Sequence, residues 1–269
     1  MARKVLLLIL SLTGTCLAHE HHGTTLFPRA DDIPPPAFGY HGINGPLNWY
    51  GLDQEKNELC AKGTHQSPID LSSSTCGRPN EVWLNIPPAP HGAEFLNLGT
   101  TVEVITNGTL YNKGKMSNLA QFHFHSPSEH SIDGKYFPME VHFVFQADDG
   151  SLSVTGFPIN LGNTTDPLLK AVADSLSEIP SHGNTTTTGP LSFETVERHF
   201  AGSGIFQYSG SLTTPPCSEG VSWTVSCAPL SADAEVFNAF HNVLKFNARY
   251  TQNQPGQINL LQNIANELN

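Results

Sequence analysis

"QFHFHSPSEH", residues 121–130, is the stretch that decides the fold, because it places two histidines two residues apart in a run with the alternation of a β-strand. Side chains alternate between the two faces of a strand, so His123 and His125 share one face while Phe122 and Phe124 share the other. The sequence therefore predicts a strand with one face in an apolar core and the other face in a polar site.

A second strand, "PMEVHFVFQ" at residues 138–146, places His142 out of phase with Val141 and Phe143. The turn-forming residues between the two runs favour antiparallel pairing, which would bring a third imidazole to the first two. Three neutral imidazoles with a fourth position open to water are typical of a catalytic zinc site, whereas iron(II) and manganese more often recruit a carboxylate and copper(I) prefers sulfur. We predict one Zn²⁺ per chain, although a histidine pair alone is more often a satisfied polar pair than a ligand set.

The rest of the chain predicts a sheet-dominated domain with a few peripheral helices. Strand-like runs separated by glycine, proline, asparagine and aspartate include "AEFLNLG", "TVEVITNG", "LSVTGFPI" and "VSWTVSCAP". Helical patterns are confined to "DPLLKAVADSLSEI", "SFETVERHF" and "SADAEVFNAFHNVLKF", the last with Ser231 as the expected N-cap. Periodicity alone would fit a sandwich or a barrel equally well.

The N-terminus predicts secretion. Residues 1–18 combine Arg3 and Lys4, a short apolar run and small residues at Cys16 and Ala18, as a signal peptide does. Residues 19–37, rich in histidine, aspartate and proline, are expected to form a flexible arm or pro-segment, and residues 38–269 a single domain without a membrane span.

The charge balance excludes a class of partners. Loss of residues 1–18 removes two of 13 basic residues and none of 24 acidic residues, which moves the net charge from −11 to −13. A surface that neutralises phosphates needs clustered cations, so we expect no nucleic acid partner.

Four cysteines remain in what should be an oxidising compartment, namely Cys60, Cys76, Cys217 and Cys227. Four cysteines allow three pairings, and their spacing does not choose among them. Glycosylation sequons at Asn107, Asn163 and Asn184 agree with secretion.

Several long motifs together resemble the α-class carbonic anhydrase family. They are "FGYHGINGPLNW", "HQSPIDL", "AQFHFHSPSEH", "EVHFVF" and "GSLTTPPCSEGVSW", in this order from Phe38 onward. The resemblance implies a mainly β fold in which one large, mostly antiparallel, twisted central sheet has short helices at its periphery. It also implies the reversible hydration of carbon dioxide to bicarbonate and a proton, by attack of zinc-bound hydroxide.

The resemblance also assigns roles to individual residues. It implies zinc ligands at His123, His125 and His142. It implies that Gln121 supports the ligand His123 and that Glu140 supports the ligand His142. It implies a catalytic pair in which Glu129 accepts a hydrogen bond from the Thr213 hydroxyl, and a supporting contact between His130 and Tyr208.

For the substrate, the resemblance implies an apolar wall and a bicarbonate contact. The wall residues are Val144, Val154, Leu212, Val221 and Trp223, and the contacts come from Thr214 and the backbone N–H of Thr213. It further implies a disulfide between Cys60 and Cys217, which leaves Cys76 and Cys227 either to pair with each other or to remain free thiols.

One departure from the family concerns proton transfer. Fast members have a histidine that relays the proton to buffer, and the position that we align with it is Thr109, in a stretch that also contains the Asn107 sequon. Threonine does not titrate near neutral pH, so we expect intact hydration chemistry with slower proton transfer.

Two alternatives to a zinc lyase are a catalytically inactive binding module of the same family and a protein that uses zinc only for stability. Inactive relatives characteristically lose a zinc histidine, and a structural site normally has four protein ligands.

Overall fold

The computed structural model describes residues 33–78 and 81–268, so the predicted signal peptide and most of the predicted arm lie outside the described residues. Within them, the chain forms fourteen β-strands. These are Asp70–Leu71 (β1), Val82–Asn85 (β2), Glu94–Asn97 (β3), Val102–Ile105 (β4), Thr109–Asn112 (β5), Lys115–His125 (β6), Ser131–Ile132 (β7), Lys135–Tyr136 (β8), Met139–Gln146 (β9), Leu152–Leu161 (β10), Thr185–Thr187 (β11), Ile205–Ser211 (β12), Glu219–Ser226 (β13) and Leu230–Ala232 (β14).

The helices are short and lie between the strands or after them. They are Trp49–Leu52 (α1), Glu58–Lys62 (α2), Pro167–Ala173 (α3), Glu194–Gly202 (α4), Ala234–Leu244 (α5) and Leu260–Leu268 (α6), with 3₁₀ turns at Gly42–Asn44, Pro46–Asn48, Ser73–Thr75 and Leu176–Glu178. In the described part of the chain, no helix combines the length and the apolar character needed to cross a membrane.

One mixed sheet of eleven strands dominates the molecule. Its main order is β11-β3-β4-β6-β9-β10-β13-β12, with β5 and then β2 added beside β6 and with β14 beside β10. All its pairings are antiparallel except those of β10 with β13 and with β14. The predicted fold class, a mostly antiparallel central sheet with peripheral helices, is therefore confirmed. A separate small sheet joins β1, β7 and β8.

The two faces of β6 and β9 separate core from site as the alternation predicts. On one face, the rings of Phe122 and Phe143 stack with centroids 5.0 Å apart, and Phe124 packs against Phe240 of α5 at 4.5 Å. Helices α3, α4 and α5 bury their apolar residues in the same cluster. Each fully buried phenylalanine contributes about 1.5–3 kcal/mol, so this face fixes the strands whose other face bears the histidines.

The helix predictions are confirmed for three segments, with one correction at a boundary. Ser231 is not an N-cap, because it lies in β14 and pairs with Asn160 of β10. Helix α5 is capped by Asp233, whose carboxylate accepts a hydrogen bond from the Val236 N–H at 2.9 Å. Helix α6 was not predicted from the sequence.

The Asp233 cap gives a testable dependence of stability on pH. Hydrogen bonds from the Val236 N–H and from Thr165 hold the pKa of Asp233 below its usual value. The charged form therefore stabilises the folded state above the unfolded pKa of about 3.9, and this contribution is lost as the pH falls through the lower folded pKa. We expect Asp233→Asn, which keeps a capping side chain, to unfold at a lower temperature than the wild type at neutral pH, with a difference that narrows as the pH falls below about 3.9. Thermal unfolding followed by circular dichroism across this range measures the difference, and a constant difference at every pH would contradict the expectation.

Candidate metal centre

Three histidines of β6 and β9 converge at one end of a cleft. In the antiparallel ladder His123 lies opposite His142, and His125 follows His123 on the same face. The ring centroids of His125 and His142 are 4.5 Å apart, and the His123 ring lies 5.0 Å from the first and 5.4 Å from the second. One ring nitrogen of each histidine lies within 4.8 Å of the other two. This spacing suits three ligands of a single cation.

The hydrogen bonds of the three rings fix their tautomers. Each ring has one nitrogen bonded to a neighbouring oxygen: His123 Nδ1 to Gln121 Oε1 at 2.9 Å, His125 Nδ1 to the Asn247 carbonyl at 2.8 Å, and His142 Nε2 to Glu140 Oε1 at 2.8 Å. A carbonyl or carboxylate oxygen can only accept, so these ring nitrogens carry the hydrogen. The opposite nitrogens, which face one another, therefore present lone pairs, as metal ligands must.

Two buried polar atoms at the centre lack hydrogen-bond partners. They are Nε2 of His125 and Oε2 of Glu129, which lie 3.5 Å apart. Unsatisfied buried polar atoms are uncommon and call for an explanation, and a bound cation would satisfy the lone pair of His125 Nε2. Burial and the neighbouring rings also lower the pKa of His123, while burial lowers that of His125, which favours the neutral form that binds metals. These residues fit a zinc ion.

Glu140 organises the layer behind the ligands. Its Oε2 accepts the backbone N–H groups of Glu129 and His130, each at 2.9 Å, and its Oε1 accepts from the rings of His130 and His142. Burial alone would raise the pKa of Glu140, but the His130 and His142 rings hold it well below its usual range. The Tyr208 hydroxyl lies 2.7 Å from His130 Nε2. Gln121, Glu140, His130 and Tyr208 thus make the contacts that the resemblance implied.

The expected hydrogen bond between Thr213 and Glu129 is absent from the described contacts. Glu129 uses Oε1 to accept the Arg249 N–H at 2.9 Å, and its free Oε2 faces His125 and, at 3.9 Å, His142 Nδ1. Thr213 is buried beside Thr214, which lines the cleft. The structure brings Glu129 to the ligands but does not join it to the threonine.

The apolar wall residues form one buried cluster next to the histidines. Val144, Val154, Leu212, Val221 and Trp223 are at most 6% exposed and pack together with Ile69, Leu71, Phe206 and Val225. The Trp223 ring lies 4.9 Å from the His142 ring and 4.8 Å from the His130 ring, centroid to centroid. One side of the site is therefore apolar.

The cleft itself is narrow, about 50 Å³, and sequence reasoning missed much of its lining. The lining residues are Phe38, Tyr40, Leu98, Thr100, Thr101, Glu103, Gln121, His123, His125, Thr214 and Pro215. Glu103 is 2% exposed and lies opposite His123 in the ladder between β4 and β6. Burial, with a smaller effect of Glu94, raises its pKa well above the usual range. The sequence feature that could have identified Glu103 is the run "VEV" at residues 102–104, in which a carboxyl alternates with two core valines.

Thr109 does not lie in this cleft, so its alignment with the proton-relay position is wrong. On β5 it pairs with Asn85 of β2 and Asn118 of β6. Asn118 is five residues from His123 along β6, which corresponds to about 16 Å. The cleft wall is formed by Leu98, Thr100, Thr101 and Glu103 instead. The Asn107 sequon, two residues from Thr109, is displaced from the cleft with it.

Both cysteine pairs are disulfides, with Cα atoms 5.1 Å apart for Cys60–Cys217 and 6.1 Å apart for Cys76–Cys227. The first pair lies next to the cleft, since the Cys217 N–H donates to the Thr214 carbonyl at 2.8 Å. Of the sequons, Asn107 and Asn163 are exposed, whereas Asn184 is half-buried and its Oδ1 accepts the Ser181 N–H at 3.0 Å.

Comparisons with known proteins agree with this architecture. The model of the eukaryotic-type carbonic anhydrase family matches residues 44–264. The structure of the fungal α-carbonic anhydrase from Aspergillus oryzae is 46% identical, with a TM-score of 0.82 over 85% of this chain and 98% of that chain. The Thermovibrio ammonificans enzyme, solved with the inhibitor sulfanilamide, is 33% identical, with a TM-score of 0.74 over 82% of this chain and 97% of that chain. The carbonic anhydrase of Pectobacterium atrosepticum is 34% identical over 224 residues, which cover 82% of this chain and 86% of that protein.

Proposed function

Because the chain belongs to the eukaryotic-type carbonic anhydrase family of enzymes, we propose that it catalyses the reversible hydration of carbon dioxide to bicarbonate and a proton, with one Zn²⁺ held by His123, His125 and His142. The observation that supports this most directly is the set of three ring nitrogens that face one another with their lone pairs unused. A structural zinc site would use four protein ligands, whereas three leave a position for the reaction.

The zinc ion supplies Lewis-acid chemistry that makes water nucleophilic at neutral pH, so no protein nucleophile is required. The chain's own residues position the ligands. Gln121, the Asn247 carbonyl and Glu140 each hold one imidazole in the tautomer that leaves its inner nitrogen free. Such contacts also make the ligand more basic, so their loss is expected to weaken metal binding 10–100-fold.

The apolar wall residues account for selectivity towards a small apolar substrate. Carbon dioxide has no charge to be clamped, and the cluster around Trp223 and Val144 offers it an apolar surface beside His142. We assign Thr214, which lines the cleft, to bicarbonate contact. Glu129 and Thr213 remain our proposed catalytic pair: the free Oε2 of Glu129 is an acceptor in need of a donor, and the Thr213 hydroxyl is the donor that the family resemblance supplies.

We also propose that the protein is secreted. Two disulfides are rare in reducing compartments and frequent in secreted proteins. Cleavage of residues 1–18 and glycans on the exposed Asn107 and Asn163 would accompany secretion. Mass spectrometry of the secreted protein tests both modifications.

Metal removal tests the proposed activity. We expect a chelator to abolish carbon dioxide hydration measured by stopped flow, and stoichiometric zinc to restore it, because the three imidazoles alone have no nucleophile to offer. Full activity in protein shown to contain no metal would contradict the zinc mechanism. One zinc bound per chain without hydration would favour the alternative, an inactive binding module.

A further inference from the structure

Hydration releases one proton per turnover, and the cleft wall of this chain has no histidine to remove it. Among the described lining residues, the histidines are the two proposed ligands His123 and His125. The other lining residues are Phe38, Tyr40, Leu98, Thr100, Thr101, Glu103, Gln121, Thr214 and Pro215, and none of them is a histidine. A histidine that relays the proton must therefore lie outside this lining.

His182 lies directly behind the cleft wall. It is exposed, in the loop between the Leu176–Glu178 turn and β11. A Cβ atom at Gly99 would be only 3.2 Å from Cβ and Cδ2 of His182, so the histidine packs on this glycine. Gly99, with φ +78°, is the residue between Leu98 and Thr100, both of which line the cleft. His182 is thus separated from the cleft by the width of one backbone segment.

The hydrogen bonding of His182 leaves it ready to accept a proton. Its Nε2 lies 3.1 Å from the carbonyl oxygen of Pro34, and because a carbonyl only accepts, Nε2 carries the hydrogen. Nδ1 then has a free lone pair. No described carboxylate lies within ion-pair distance of the ring, so an added proton would not be trapped by a counter-charge. Pro36, two residues after Pro34, would lie 3.0 Å from a Cβ atom at the same Gly99. Residues 34–36 therefore contact both the His182 ring and the Gly99 backbone.

We propose that His182 is the proton-relay residue of this chain, an inference that rests on the proposed hydration activity. Carbon dioxide and water give bicarbonate and one proton. The proton passes through water out of the cleft and around the Gly99 backbone segment to Nδ1 of His182. The ring becomes imidazolium while its Nε2–H stays bonded to the Pro34 carbonyl. The exposed ring then releases the Nδ1 proton to a solvent base and returns to its first state.

The distance requires water as an intermediate. Gly99 is four residues from Glu103, which lies opposite His123, so the path along the wall is at most about 14 Å. Two other groups compete for the role. Glu103 is closer but buried beside a proposed ligand, and the arm histidines His19, His21 and His22 lie outside the described residues, upstream of Pro34.

A kinetic experiment on the full-length zinc enzyme separates these candidates. We expect His182→Ala to lower kcat at low buffer concentration roughly tenfold, less than the 10²–10⁴-fold of a general base in direct contact because water intervenes. The ratio kcat/KM, which reports the conversion of carbon dioxide, should not change, and added imidazole should restore kcat. His91→Ala is the matched control, since His91 is exposed but precedes β3 while Gly99 follows it.

The outcomes are distinguishable. A wild-type kcat in His182→Ala at low buffer would overturn the inference, as would an equal loss of kcat and kcat/KM that imidazole does not rescue, which indicates a structural role. A loss confined to the triple variant of His19, His21 and His22 would overturn it in favour of the arm. A wild-type enzyme with zinc and no hydration would overturn the proposed function and this inference together.

A second readout does not depend on activity. Nitrogen-15 spectra of the folded protein report the tautomer of each histidine ring, and His182→Ala identifies its signals by their loss. We expect the neutral His182 ring to carry its hydrogen on Nε2, which leaves Nδ1 as the accepting nitrogen. Hydrogen on Nδ1 in the neutral ring would contradict the relay, because the accepting lone pair would then be missing.

Discussion

His123→Ala is expected to abolish zinc retention and carbon dioxide hydration together. Two imidazoles remain in this variant, and a two-ligand site loses more than the 10–100-fold in metal affinity that follows from loss of an outer contact. His123 is the ligand of choice for this test because it is the most exposed of the three, so its truncation opens into the cleft rather than into the core. Zinc content after dialysis against a weak chelator and stopped-flow hydration are the measurements.

Graded controls sharpen this test. Gln121→Ala keeps all three ligands but removes the amide whose oxygen accepts the hydrogen bond from His123 Nδ1. We expect zinc to bind 10–100-fold more weakly in this variant, while hydration activity at saturating zinc persists. His91→Ala should change neither quantity. If His123→Ala keeps one zinc per chain and hydrates carbon dioxide within a few-fold of the wild type, the proposed ligand set is incorrect.

The sequence was sufficient for the faces of the strands but not for their partners. Alternation is a local property with a period of two, so Phe122 and His123 had to lie on opposite faces. Which residue lies opposite His123 depends on the turn between β6 and β9 and on the register shift between Leu119 and Gln121, and neither has a local signature. The family resemblance supplied that information, since it compares whole motifs rather than single elements.

The errors have related physical causes. Thr109 was placed in the cleft because the loops around β4 and β5 allow more than one alignment, and only the ladder with Asn85 and Asn118 fixes its position. Ser231 and Asp233 are both good N-caps, and the pairing of β14 with β10, a tertiary contact, decides between them. Glu103 escaped notice because a carboxyl in a strand normally faces solvent, whereas here the cleft buries it.

The Cys60–Cys217 disulfide is expected to contribute more to stability than any single side chain tested above. It closes a loop across a sequence separation of 157, and both cysteines are fully buried against Trp49. For a loop of this length the loss of chain entropy in the unfolded state corresponds to about 5 kcal/mol. Replacing both cysteines with alanine should therefore lower Tm by roughly 10–20 °C, measured by calorimetry.

The second disulfide is the matched control, because its separation of 151 gives nearly the same entropic effect. Cys76 is exposed, however, and this pair lies beside Gly204, just before β12. Cys217 instead lies beside the cleft, because its N–H donates a hydrogen bond to the Thr214 carbonyl. The Cys217 carbonyl also accepts a hydrogen bond from the Gln66 side chain. We expect both double alanine variants to lose stability, but only the Cys60 and Cys217 variant to lose hydration activity at a temperature where both are folded. Equal activity in the two variants would mean that Thr213 and Thr214 keep their positions without the disulfide. A Tm shift below a few degrees in both would mean that the unfolded chain is compact enough for neither loop to matter.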